Sequence, residues 1–433
     1  MSSKPFPAQA PPRIASGARP RVLALLAALL ASGLALAQAP PAASPAFQIV
    51  ESVPVATDYG QPGVPRTQAV WLDLINHAQR SIDLAAFYIS NQPGEALQPV
   101  LNALLARARA GVKVRILLDA SFMKESRAAY DLLHGKPGID IRILPMDQLT
   151  GGVLHAKYFI VDGETIFVGS QNWDWRALSQ IHEIGALVRN ARLARTFEAA
   201  FEFDWRLAGD PNLPAAAKRA LQPADFAPVT AQDPVIIGQP GSAPISLFPA
   251  FSPPALNPAW LEQEQPQLVR FIDSAQHTLD IQVMTLSAFK NYGPRGWWPA
   301  LDNALRDAAA RGVKVRIIVA DWSLHEPMQA YLKSLALMPG IAVRYSSLPE
   351  ASQGFIPYAR VEHCKYAVAD GRVSFIGTGN WSWSYFATTV DASLFIAGSG
   401  PAHTLTAIFD RDWNGPYVHA LEPGTTYTPP RVN

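Results

Sequence analysis

Continuous runs of β-branched and apolar residues recur along the chain, as in VKVRILLD from Val112 and KYFIVD from Lys157, each bounded by polar or turn residues. Such runs predict buried strands. Between them, LQPVLNALLARARA from Leu97 and PALDNALRDAAARG from Pro299 repeat apolar residues three and four apart, which predicts amphipathic helices. Strand and helix in alternation predict an α/β sandwich with a mainly parallel or mixed sheet.

The pattern then occurs a second time. QRSIDLAAFYIS around Asp83 returns as QHTLDIQVMTLS around Asp280, and GVKVRILLDAS from Gly111 returns as GVKVRIIVADWS from Gly312. Further on the spacing becomes strict. His155 and His363 lie 208 residues apart, as do Asn172 and Asn380, Trp175 and Trp383, Glu183 and Asp391, and Trp205 and Trp413. So long a period signifies a duplicated domain rather than a solenoid. The expected organisation is a signal segment over 1–37, one α/β sandwich over 38–212, a Pro-rich connection over 213–258 and a second sandwich over 259–433. Two such halves, packed about a pseudo-two-fold axis, would share a central site.

The N-terminus has basic residues up to Arg21 and then a 16-residue apolar run, Val22–Ala37, ending in Ala35-Leu36-Ala37. The run is short of the ~20 residues that span a bilayer, so it reads as a cleavable export signal, with a membrane anchor as the less favoured alternative. The expected location is periplasmic or secreted. Without Lys4, Arg13, Arg19 and Arg21, the remaining 32 basic residues face 35 acidic ones, a net charge of −3. That balance argues against a protein that coats nucleic acid through a broad basic surface. A single cysteine, Cys364, excludes an intramolecular disulfide and a cysteine-based zinc finger.

Within the repeat, HAKYFIVDGETIFVGSQN carries His155, Lys157, Asp162, Gly169, Ser170 and Asn172. HCKYAVADGRVSFIGTGN carries His363, Lys365, Asp370, Gly377, Thr378 and Asn380. Two residues apart on a strand, His and Lys share a face. Doubling the set about an axis brings two imidazoles, two ammoniums and two amides to one place. Such a site suits a phosphodiester, with cations on its non-bridging oxygens and one imidazole each for nucleophile and general acid. No dense carboxylate or thiolate set accompanies the histidines, so the expected chemistry needs neither metal nor other cofactor.

These paired H-x-K-x4-D segments resemble the signature of the phospholipase D superfamily. The resemblance covers nearly the whole chain after the signal and implies that His155 and His363 act as nucleophile and general acid through a phosphohistidine, in an order it leaves open. It further implies that Lys157, Lys365, Asn172 and Asn380 bind phosphate and that Asp162 and Asp370 mainly organise the motif. Glu183 and Asp391, each 28 residues beyond a histidine, are similar to the family's carboxylates that fix the imidazole tautomer. VESVP from Val50, GSQNWDWRALSQ, IPYARVEHCKY and GTGNWSWSYF are similar to the branch holding the animal lysosomal 5′-exonucleases and poxvirus envelope relatives.

The expected function is thus an exported phosphodiesterase releasing nucleotides from the 5′ end of single-stranded DNA or RNA. Phospholipid hydrolysis or transphosphatidylation is the rival, for which the Phe289–Ala300 loop would supply an apolar rim. A non-catalytic binding or envelope protein is a third reading, disfavoured by two complete motifs. One chain holds both motifs, so no protein partner is required. Trp173, Trp175, Trp381 and Trp383 follow the asparagines and offer either base stacking or core packing. Tyr88, Tyr358 and His325 are further cleft candidates by order along the chain alone.

Overall fold

The computed structural model describes residues 45–210, 212–213, 227–239, 241–290 and 294–433. The expected signal segment 1–37 lies outside them. No described helix is long and apolar enough to cross a membrane.

Each half builds one mixed sheet, and the two follow one plan. The seven-stranded sheet runs Phe47–Ser52, Glu183–Arg189, Thr165–Gly169, Lys157–Val161, Ser81–Ala86, Lys113–Asp119, Ile139–Leu144 across its width. The nine-stranded sheet repeats that order with Ser242–Ser252, Asp391–Ala397, Val373–Gly377, Lys365–Ala369, Thr278–Val283, Lys314–Ala320 and Ile341–Ser346, and adds Val235–Gln239 and Val418–Ala420 at its edges. In both, the three strands joined through helices pair in parallel, whereas the motif hairpin and its flanks pair antiparallel. Helical crossovers demand the former, and tight turns permit only the latter.

The stretch 213–258, expected as a connection, contributes two of these strands. In Ser242–Ser252, Ile245 and Leu247 alternate inward, as do Val235 and Ile237 in the preceding strand. The Pro-rich composition hides that period-2 pattern. Pro249 lies beyond the stretch paired with Val235–Gln239, where a missing backbone donor is tolerated.

Helices Thr67–His77, Gln98–Arg109 and Met123–Leu133 cover the outer face of the first sheet; Glu264–Ser274, Ala300–Ala310 and Met328–Ala336 do so for the second. The inner faces meet in one continuous core with helices Ala191–Gly209 and Ser399–Asn414. It joins Tyr158, Phe197, Phe201 and Trp205 of one half to Tyr366, Phe251, Phe409 and Trp413 of the other. Residues 45–433 accordingly form one compact unit. The halves also exchange backbone hydrogen bonds. His155 N–H donates to the Val390 oxygen at 2.9 Å, and His363 N–H to the His182 oxygen at 3.0 Å. Each motif histidine is therefore tethered by the segment that opens the other half's carboxylate strand.

Candidate active site

His155 and His363 immediately precede strands Lys157–Val161 and Lys365–Ala369, and each lysine opens its strand. All four side chains are buried, with Lys157 1% and Lys365 0% exposed, which is extreme for lysine. Their ammoniums turn back onto the chain: Lys157 Nζ donates to the His155 oxygen, and Lys365 Nζ to the His363 oxygen at 2.6 Å.

The carboxylate contacts cross between the halves. His155 Nδ1 lies 3.0 Å from Asp391 Oδ1, and His363 Nδ1 lies 2.8 Å from Glu183 Oε2. A histidine and the acid 28 residues after it thus serve different dyads. Glu183 and Asp391 are the first residues of strands that begin where the halves pair, so each carboxyl points at the other half's imidazole. Thr378 Oγ1 donates to Asp391 Oδ1 at 2.6 Å and accepts from Ala392 N–H at 3.0 Å, fixing that carboxylate. At Gly379 a Cβ would stand 3.0 Å from the Asp391 carboxyl carbon, so a side chain there would press on that carboxylate.

Electrostatics keep the imidazoles neutral at rest. Burial first, and then the Lys157 and Lys365 charges, hold His155 well below the usual histidine range; the same causes act on His363. Burial also lowers both lysines, Lys365 to about 8, where Glu183 sustains its charge. Asp391 is pushed up to about 7 and Glu183 well upward, again by desolvation opposed by the lysines. A neutral imidazole donating through Nδ1 to a carboxylate leaves Nε2 with a lone pair, the form a nucleophile or base requires.

Asn172 and Asn380 follow the adjoining strands. Both amide oxygens are buried without a hydrogen-bond partner among the described residues, and Asn380 Nδ2 donates to Tyr385 Oη at 3.0 Å. Asp162 and Asp370, expected with the catalytic set, are not brought to the site. They sit at the far ends of the histidine-lysine strands in left-handed backbone with φ of 57° and 53°. Asp162 accepts from the N–H groups of Gln79, Arg80 and Ser81, and Asp370 from those of Gln276, His277 and Thr278. Five positions along a strand from the lysine, a side chain cannot reach the imidazoles; these aspartates hold a loop.

Of the four tryptophans after the asparagines, Trp173 and Trp381 are core. Trp173 stacks on Trp71 at 4.8 Å, and Trp381 meets Phe375 edge-on at 5.9 Å. Trp175 packs into the same core as Trp173, and Trp383 lies 4.8 Å from Lys290 Nζ. The aromatic wall beside the site is instead Phe87 and Tyr385, whose rings stand 4.8 and 4.9 Å from that of His155, with Phe122 4.0 Å beyond Phe87. Together with Gly151, Gly152, Val153 and Thr389 they line a cavity of about 240 Å3 that opens onto His155. Tyr88 stacks on Phe122 at 6.1 Å and donates to Asp174, at the back of this wall. Tyr358 and His325 are exposed and do not line this cavity. Trp297, 46% exposed, packs edge-on against Phe289, whereas Trp298 is buried on Phe386. Residues 291–293 of that loop lie outside the described residues.

Sequence reading missed a second group of buried titratable side chains directly behind the His363 dyad: His182, Glu362, Glu51, Arg411 and Asp412. His182, Glu362 and Cys364 each offer a metal-ligand atom, all within 4.8 Å of one another. The 2.7 Å separation of His182 Nδ1 and Glu362 Oε2 is that of a hydrogen bond, and Glu51 occupies the other imidazole nitrogen at 3.1 Å. The group is organised as an ion-paired network.

A duplicated α/β fold thus crosses two histidine-carboxylate dyads beside two buried lysines within one chain. A family model described as "Cardiolipin synthase, PLD-like domain" matches residues 71–205 and 268–413. The chain belongs to the phospholipase D-like family. It is similar to the 5'-3' exonuclease PLD3 of Bos taurus, 35% identical over 403 residues, spanning 86% of this chain and 80% of the relative. The human 5'-3' exonuclease PLD4 is 32% identical over 407 residues, spanning 86% and 78%. Among solved structures, the phosphatidylserine synthase of Haemophilus influenzae Rd KW20 shares the fold with a TM-score of 0.58 at 15% identity, covering 83% of this chain and 87% of that one. The protein is a phosphodiesterase of that family.

Proposed function

We propose that the protein is an exported 5′-exonuclease of single-stranded nucleic acid working through a phosphohistidine. The observation that carries the choice of substrate is the aromatic cavity against His155. Its size suits one nucleoside at a chain end, and Phe87, Phe122 and Tyr385 offer the ring faces on which any base stacks. The likeness to 5'-3' exonucleases over most of the chain supports the same reading.

In this reading the phosphodiester lies between His155 and His363, its charge met by Lys157 and Lys365 and its oxygens by the Asn172 and Asn380 amides. One imidazole Nε2 attacks phosphorus, forming an N–P bond as one P–O ester bond breaks. The departing oxygen takes a proton from the other imidazole, which the incoming anion and its own carboxylate have favoured in charged form. That second imidazole then removes a proton from water, whose oxygen displaces the first from phosphorus. No step draws on a metal.

The test follows residues 38–433 acting, with EDTA present, on single-stranded DNA labelled separately at each end, with His363→Ala as blank. Stepwise loss from the 5′ end, absent in the blank, is expected. Undiminished DNA alongside turnover of phospholipid vesicles would replace the reading with a lipid one.

A further inference from the structure

His182 and Glu362 each stand one residue before a member of the His363 dyad, Glu183 and His363. Where the halves pair, the His182-Glu183 dipeptide lies against Glu362-His363, with His182 N–H donating to the Val361 oxygen at 3.2 Å and His363 N–H to the His182 oxygen at 3.0 Å. Neighbours in extended backbone face opposite ways. Glu183 and His363 therefore pair in the site at 2.8 Å, while His182 and Glu362 pair behind it at 2.7 Å.

Behind that pair the network is complete. His182 Nε2 contacts Glu51 Oε1 at 3.1 Å, and Arg411 bridges Glu51 at 2.8 Å to Asp412 at 2.6 Å. Arg66 holds the second Glu51 oxygen at 2.7 Å. Cys364 N–H donates to Glu362 Oε1 at 3.1 Å, and the Tyr59 ring tilts over His182 at 4.6 Å. Protonated His182, Arg411 and Arg66 balance Glu51, Glu362 and Asp412. The side chains of His182, Glu51, Glu362 and Asp412 are wholly buried.

The other half shows what the fold itself requires there. Counting back or forward 208 residues, His182 corresponds to Val390, Glu362 to Leu154, Cys364 to Ala156 and Arg411 to Phe203. Leu154 and Val390 form the equivalent bridge, and His155 N–H donates to the Val390 oxygen as His363 N–H does to that of His182. An apolar pair thus makes the same backbone junction. Buried ion pairs are often no more stabilising than apolar residues of similar volume. Junction stability does not account for the charges on the His363 side.

We infer that His182 and Glu362 are positioning residues for the His363 dyad, an ionic brace that sets Glu183 against His363 and gives that side of the site an electrostatic environment the His155 side lacks. The inference rests on the phosphodiesterase chemistry proposed above. Two consequences follow. The brace fixes the backbone that carries both dyad members. From behind the site its Glu362 carboxylate also adds negative charge that helps the Lys365 ammonium keep its proton against burial, after the larger contributions of Glu183 and Asp391.

The test swaps in the twin junction, His182→Val with Glu362→Leu, which removes one charge of each sign and leaves the remaining network neutral. A second variant, Glu362→Gln, keeps the shape of the carboxyl group. Both are assayed on end-labelled single-stranded DNA across pH, with thermal unfolding alongside. Removing a residue that orients a metal ligand typically costs about 10- to 100-fold in affinity or activity, and a loss of the same order is expected for one that orients an imidazole. The twin-junction variant should keep its melting temperature to within a few degrees and lose kcat by about that factor at unchanged KM. Glu362→Gln should be folded, with the alkaline limb of its kcat profile displaced to lower pH, because Lys365 loses a neighbouring anion. Parental kcat in the twin-junction variant, or an unmoved alkaline limb in a folded Glu362→Gln, overturns the inference. An inactive parent instead overturns the proposed function and is distinguished by that alone.

Discussion

Replacing Asp391 by Asn perturbs one dyad at a single charge. In the native site one carboxylate oxygen, Oδ1, takes both the His155 Nδ1–H at 3.0 Å and the Thr378 hydroxyl at 2.6 Å. Thr378 is itself fixed through Ala392 N–H, so it holds an acceptor at that point. An Asn oxygen can occupy the place with both hydrogen bonds kept and the tautomer of His155 preserved. What disappears is the anion facing an imidazolium that forms only during turnover. A hydrogen bond to a charged group is worth about 1.5–3 kcal/mol in place of about 1 for a neutral one. The difference, about 1–2 kcal/mol, corresponds to a fall in kcat of roughly 5- to 30-fold. Asp391 is wholly buried and does not line the cavity beside His155, so KM should hold. Steady-state kinetics on a 5′-labelled oligonucleotide above pH 7, where Asp391 is ionised, measures both constants. A kcat within twofold of the parent, or a change confined to KM, would refute the role given to the crossed dyads.

Three other outcomes follow from particular contacts. Phe122→Ala removes part of the cavity wall, and since stacking on an aromatic ring is worth about 1–3 kcal/mol per base, KM for single-stranded DNA should rise by about 5- to 150-fold with kcat little changed. Asp162→Ala strips three backbone N–H groups of their acceptor and leaves a left-handed residue without its local hydrogen bonds, so stability should fall by about 1–3 kcal/mol in denaturant titration, while kcat of the folded protein stays parental. Asp204 is buried and desolvation pushes it up to about 8. Its native state holds a proton that the unfolded chain releases near pH 4, so the parent should lose stability as pH rises toward 8, by at most ~1.4 kcal/mol per unit. Asp204→Asn removes that dependence, and melting temperatures of the two proteins at pH 5 and pH 8 should diverge toward the alkaline end.

Much of the design is written in the repeat. Strict spacing from His155 to Glu183 and from His363 to Asp391 exposes the duplication, and the buried strands Lys157–Val161 and Lys365–Ala369 are plain from their apolar runs. The crossing of the dyads is not, because spacing relates residues within one copy and says nothing of which copy's backbone lies opposite. Trp173 and Trp381 were ambiguous for a related reason: an aromatic residue repeated at the period satisfies core packing and base stacking equally, and only the neighbours Trp71 and Phe375 decide. The aromatic wall beside His155 comes from Phe87, Phe122 and Tyr385, which lie in three separate segments of the chain, so their convergence is not written in any one of them. Asp162 and Asp370 illustrate the converse. Their place in the motif associates them with chemistry, whereas five residues of extended strand carry them to the opposite end of the sheet. His182 and Glu362 had a signal in the sequence, a charged pair where the other copy has Val390 and Leu154, legible only to a comparison that seeks departures from the repeat as well as agreements.

The central claim is that two histidines from two halves of one chain share a single phosphoryl transfer through a covalent intermediate. Intact-protein mass measurement after rapid neutral quenching on single-stranded DNA, in the parent and in His155→Ala and His363→Ala, tests it most directly. A nucleotide-sized adduct on a histidine, accumulating in the one variant that keeps the nucleophile but lacks its partner, is the result predicted. No adduct in any of the three, with cleavage persisting in either variant, would contradict it.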